Sequence, residues 1–149
     1  MLGQRPGGAD LPYDARLAET FRRLGGIGVV SAYLFGSHAS GRSHRASDVD
    51  VGVLLRRDVY PTARERFDAR VRLTAELVAG LHQNAVDVVI LNDAPPGLGR
   101  HIVSAGRRVF CVEEDVDHSF VRDVQLRAAD LAPFLRRARR VKLAAVVRP

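Results

Sequence analysis

Tryptophan is absent from the 149 residues, and cysteine and lysine occur once each, as Cys111 and Lys142. A single cysteine excludes an internal disulfide and points to a reducing compartment. No Cys/His pair has zinc spacing, so a structural zinc is not expected. No apolar run approaches the roughly 18 residues of a membrane span. Met1–Asp10 lacks the apolar core of a signal peptide, so a cytoplasmic location is expected. Aromatic residues make up only 6% and form no ladder for stacking bases.

Positive charge is what the chain has in excess. Twenty-three basic residues against 17 acidic ones give a net charge of +6. A basic surface suits nucleic acid, a nucleotide or an acidic protein. Without stacking aromatics the excess reads as solvated surface, and direct nucleic-acid binding is not expected.

Punctuation and periodicity divide the chain. Residues 1–10 are glycine-rich and expected as a disordered tail, with Asp10 able to cap a first helix that holds Pro12 in its first turn. Leu17, Phe21 and Leu24 recur at helical spacing until Gly25-Gly26. Ile27–Phe35 reads as a buried strand, Gly36–Ser47 as loop and Asp48–Leu55 as a second strand. Pro61 opens a helix expected to bury Phe67, Val71, Thr74, Val78 and Leu81. Ala85–Leu91 is a third strand. Asn92 or Asp93 is expected to cap a short helix that starts near Pro95-Pro96 and ends at Gly106. Arg107–Val112 is a fourth strand. From Glu114 a long helix follows, which Pro133 should kink or divide. The order α-β-β-α-β-α-β-α, without repeat or linker, predicts one α/β (α+β) domain over residues 11–149, a small mixed sheet flanked by helices. The first two strands are joined by twelve residues without a predicted helix, which favours antiparallel or mixed pairing.

The chemistry concentrates in "YLFGSHASGRSHRASDVDVGVLL", Tyr33–Leu55. Asp48 and Asp50 lie two apart, so both point to one face of a strand, their Cα atoms about 6.6 Å apart. Val49, Val51 and Val53 take the other face. Two like charges held together are unfavourable unless something positive sits between them, and hard oxygen ligands suit Mg²⁺. A Gly-Ser at a strand end lets backbone N–H groups approach a phosphate, and Ser37 adds a hydroxyl. Asp87 supplies a third carboxylate between Val86 and Val88. Three carboxylates can hold two metal ions about 4 Å apart across an in-line displacement at phosphorus, and the third can take a proton from the attacking hydroxyl. Taken singly, an Asp-x-Asp is a common turn cap and a strand aspartate a common edge residue. Their combination, in this order and context, predicts nucleotidyl transfer.

The segments "GSHASGRSHRASDVD" and "VDVVIL" resemble the nucleotidyltransferase superfamily that includes the beta-type DNA polymerases. "LNDAPPGLGRHIVSAGRRVF" and "FVRDVQLRAADLAPFLRR" look like its minimal, MNT-type branch. The likeness runs from about Leu17 to Arg140. It implies a polymerase beta palm-like fold with a long C-terminal helix. It also implies an antitoxin that moves AMP from ATP to a tyrosine hydroxyl of a cognate HEPN ribonuclease toxin. Asp48, Asp50 and Asp87 would be catalytic and hold Mg²⁺, two ions being expected. Gly36 and Ser37 would bind the nucleotide. The chain departs from the branch at Ser40, where an arginine often precedes Gly41. Arg42 and Arg45 either serve the triphosphate instead or are solvated loop arginines. His38 and His44 are expected to be solvated or to contact nucleotide rather than metal. Two further readings stay open: transfer to a small molecule, as in aminoglycoside nucleotidyltransferases, and a non-catalytic module that masks its toxin. The basic run Arg136–Lys142 is either a docking helix or a solvated face.

Overall fold

A computed structural model describes residues 11–25, 27–40, 48–83 and 85–147. The expected tail and Asp10 lie outside them. Strand β1 (Val29–Phe35) is apolar and buried along nearly its whole length, because it is paired on both edges. Strand β2 (Val49–Leu55) runs antiparallel to it, β3 (Val86–Ile90) runs parallel to β2, and β4 (Arg107–Cys111) runs antiparallel to β1. The order is β3-β2-β1-β4, a mixed sheet with β3 at one edge.

Helices cover both faces. On one, α1 (Leu11–Leu24) and α3 (Ala63–Leu81) pack onto Val49, Val51 and Val53 of β2. On the other, α4 (Pro96–Ala105) and α5 (Glu114–Val147) cover Val30, Tyr33 and Leu54. Gly52 belongs to this second face. A Cβ there would meet Ile102 Cγ2 of α4 at 2.8 Å, so the glycine is what lets α4 lie close to the sheet. A one-turn helix, α2 (Ser37–Ser40), stands where only loop was expected.

Three expectations are corrected. Helix α3 starts after Thr62, which accepts from Glu65 N–H while the Glu65 carboxylate accepts from Thr62 N–H. It buries Arg66, Ala69, Leu73, Leu77 and Leu81, whereas Phe67 and Val71 are 58% and 56% exposed. Leucines four apart make the stripe that meets the sheet, and burying each of them fully is worth about 1.5–3 kcal/mol. Arg66 can head that stripe because its guanidinium is satisfied by Asp93 at 2.9 Å and by the Tyr60 carbonyl at 2.9 Å. The second correction concerns Asn92 and Asp93, which do not cap α4. They lie in a 3-10 turn (Leu91–Asp93), and Pro95 precedes α4 without a side-chain cap. The Asn92 amide pairs with both the N–H and the C=O of Leu55, each at 2.9 Å, and so continues the ladder at the end of β2. Finally, α5 passes Pro133 as one helix of 34 residues, and beyond it Phe134, Leu135 and Val141 stay exposed.

Asp117 ties α5 to the sheet. It is 1% exposed and accepts from Ser31 Oγ at 2.6 Å, Tyr33 Oη at 2.8 Å and Arg108 at 2.9 Å. Burial and the Asp117 carboxylate push the Tyr33 phenol well above its ordinary range, while the ion pair raises Arg108 further. Asp117→Ala should therefore strand buried donors and cost on the order of 3 kcal/mol in urea denaturation. Tyr33→Phe should cost only about 1 kcal/mol by the same measurement.

Candidate active site

The first two strands end where their chemistry begins. Phe35, the last residue of β1, is the register partner of Asp50. The chain then turns sharply through Gly36, at φ +75°, into α2. A Cβ on Gly36 would fall on Asp50 Oδ2, so only glycine allows this approach. Asp48 lies exposed just before β2, two residues from Asp50. On the other side of β2, Asp50 is the register partner of Asp87. Adjacent strands are about 4.8 Å apart and in-register residues share a face, so two carboxylates meet across the β2–β3 pair. Asp87 sits on the edge strand, and its only described cation is Arg70, 3.5 Å away and itself exposed.

The electrostatics follow from that placement. Asp50 is half-buried, and its carboxyl is held above the ordinary carboxylate range. Burial contributes most, then the negative charges of Asp87 and Asp48, with His38 acting in the opposite sense. Among the described residues no group of three or more His, Cys, Asp or Glu side chains forms a ready-made metal cage. The arrangement is a pair of carboxylates across two strands with a third nearby. Such a donor set fits Mg²⁺, which keeps waters and completes its shell with substrate phosphates rather than protein ligands.

Gly36, Ser37, Asp48, Asp50 and Asp87 are thus brought to one end of the β2–β3 pair. Arg42, Arg45, Gly41 and His44 lie outside the described residues. Ser40 is the last residue of α2. His38 is not solvated, one of the two roles expected of it: it is 3% exposed and meets the Tyr13 ring edge-on, with centroids 4.6 Å apart. Arg107 explains how so short a helix holds its place. It donates to the Ala39 carbonyl at 3.2 Å while ion-pairing Asp14 of α1 at 3.0 Å. Neither His38 nor Arg107 carried a sequence signal, since their partners are 25 to 93 positions away in the chain.

Comparisons with known proteins give the family and the fold. The profile of the family described as polymerase beta, nucleotidyltransferase matches residues 17–115. The chain belongs to that family. It is 31% identical over 96 residues to the protein adenylyltransferase MntA of Shewanella oneidensis, a match spanning 63% of each protein. The chain therefore matches less than two thirds of that relative's length. Its fold is similar to a toxin-antitoxin crystal structure with AMP-PNP, at TM-score 0.65 and 24% identity, covering 91% of this chain and 98% of the other. It is also similar, at TM-score 0.61 and 20% identity, to a chain in the complex of the tri-AMPylated Shewanella oneidensis HEPN toxin with MNT antitoxin, covering 93% and 99%. No described helix is long and apolar enough to cross a membrane.

Two variants probe the site without any substrate. A carboxyl whose folded-state pKa is raised costs stability once the pH climbs above its unfolded value. Asp50→Asn should therefore raise the Tm near pH 7, and the gain should vanish as the pH falls below the carboxylate range. Gly36→Ala combines a left-handed backbone with a blocked carboxylate and should lose more than about 1 kcal/mol in thermal or urea denaturation.

Proposed function

We propose that this chain is a Mg²⁺-dependent adenylyltransferase that transfers AMP from ATP to a tyrosine hydroxyl of a cognate HEPN ribonuclease toxin, and so acts as its antitoxin. The observation that carries the reading is the register match of Asp50 with Asp87, with Asp48 two residues away and Gly36 pressed against Asp50. Membership of the nucleotidyltransferase family supports the reaction type, and the likeness to MntA supports AMP as the group moved. The fold shared with toxin-antitoxin chains supports a protein acceptor.

Asp48 and Asp50 would hold the Mg²⁺ ions, with Asp87 as the third ligand. Bound Mg²⁺ supplies charge neutralisation for the triphosphate and for the pyrophosphate that leaves. The remaining work falls to the chain. Gly36 and Ser37 offer backbone N–H groups and a hydroxyl to the phosphates at the turn into α2. Arg42 and Arg45, which lie between Ser40 and Asp48 in the sequence, would meet the charge that develops on pyrophosphate. Asp87 accepts the proton of the incoming tyrosine hydroxyl, since it lies exposed at the sheet edge where an acceptor can reach it. Burial first, and then the charges of Asp87 and Asp48, raise the Asp50 carboxyl, and a bound cation would relieve both.

Incubation with α-labelled ATP, Mg²⁺ and the protein encoded by the adjacent gene should label that protein on tyrosine. Asp48→Asn and Asp50→Asn should abolish labelling, and Asp87→Asn should slow it about 10²- to 10⁴-fold. Neutralisation of the toxin that survives all three substitutions would favour masking by binding alone. Labelling of an aminoglycoside in place of the protein would favour the small-molecule reading.

A further inference from the structure

Asp87 is exposed, but at the rim of a groove rather than on a flat face. It lines a groove of about 420 Å³ between α3, the edge of β3 and the first turns of α4. The walls include Phe67 and Leu98, one from α3 and the other from α4, which are 58% and 39% exposed. Pro95 adds a further apolar surface. The charged side chains are Arg70, Asp87 and Asp93. Asp93 is already held by the Arg66 guanidinium through several hydrogen bonds.

We propose that this groove is the acceptor subsite. It takes a flat, uncharged side chain with a terminal hydroxyl, a tyrosine of a protein, between Phe67 and Leu98 with its oxygen at Asp87. The inference rests on the nucleotidyl-transfer reading and adds where the acceptor lies and which residues select it. Apolar walls leading to a carboxylate match a ring with a polar tip. Serine and threonine have no apolar body to fill the walls. An aminoglycoside is a polyhydroxylated polycation and would need several free carboxylates. Of the two here, one is spent on Arg66 and the other has Arg70 beside it, a charge of the wrong sign. Arg70 yields readily, because a 3.5 Å pair between exposed groups is worth little. In the step itself, the phenolic oxygen forms a bond to the α-phosphorus and its proton passes to Asp87. The bond from that phosphorus to the bridging oxygen breaks, and its electron pair leaves with pyrophosphate. The same groove accounts for the exposed Phe67: it lies off the stripe that α3 buries and faces the site.

The test uses the full chain, Mg²⁺ and labelled ATP with four acceptors: the adjacent-gene protein, N-acetyltyrosinamide, N-acetylserinamide and kanamycin. Phe67→Ser and Leu98→Ser alter exposed side chains, and unchanged thermal unfolding and unchanged Mg·ATP affinity would establish that fold and nucleotide site are intact. The expected result is transfer to tyrosine in the protein or its amide alone. Each variant should raise the acceptor KM about fivefold to tenfold while kcat changes less than twofold. Transfer by the wild-type chain with the acceptor KM unmoved in both variants would overturn the groove and leave nucleotidyl transfer standing. Equal use of the serine amide or kanamycin would overturn it as well. A wild-type chain that binds Mg·ATP and labels none of the four would sink the nucleotidyl-transfer reading, and the groove with it.

Discussion

Everything at the candidate site depends on holding like charges together. The parallel pairing of β2 with β3 sets Asp50 opposite Asp87, and the turn at Gly36 closes over Asp50 from the other side. Asp50 bears the cost: burial, and then the charges of Asp87 and Asp48, hold its carboxyl above its usual value. The sheet must supply the stability that the acids subtract. A cation bound among them, with the phosphates of a nucleotide, reverses the sign of the interaction. The site is thus a local loss of stability held in place by a well-packed scaffold, a common condition for groups that must meet a ligand.

The scaffold is pinned by polar contacts as well as by its two apolar layers. Arg66 couples α3 to the turn after β3 through Asp93, and so fixes the edge strand that carries Asp87. Arg107 joins β4, α1 and the end of α2, which steadies the turn next to Asp50. Asp117 gathers Ser31, Tyr33 and Arg108 and locks α5 to the middle of the sheet. Each is a charged group with satisfied partners, and each would be costly if its partner were removed.

Much of this was legible in the sequence. All four strands were, because apolar β-branched runs between glycines and polar turns leave little alternative. Their boundaries moved by one or two residues, as with β1, which starts at Val29 rather than Ile27. The facing of Val49, Val51 and Val53 away from the acids follows from strand alternation and holds in the core. The α3 face was misread because Phe67 and Val71 form a plausible apolar stripe beside that of Leu73 and Leu77. Arg66 heads the stripe that is buried. Only the distant Asp93 makes a buried arginine acceptable there. That His38 is not solvated was hidden for a similar reason: the Tyr13 ring and the Arg107 guanidinium that meet it come from distant segments.

By itself, the sequence determined which residues could do chemistry. The spacing of Gly36-Ser37, Asp48 and Asp50 is local, and strand alternation places the two acids on one face without reference to the rest of the chain. What only the tertiary structure decided is register and enclosure. Asp50 faces Asp87 rather than Val86 or Val88 because the crossover through α3 sets the β2–β3 pairing, a non-local choice made by packing. The groove between Phe67 and Leu98 exists only once α3 and α4 flank the edge strand. Local spacing is written in covalent geometry, whereas contacts between distant segments follow from the one arrangement that buries the leucine stripes and satisfies the buried charges together.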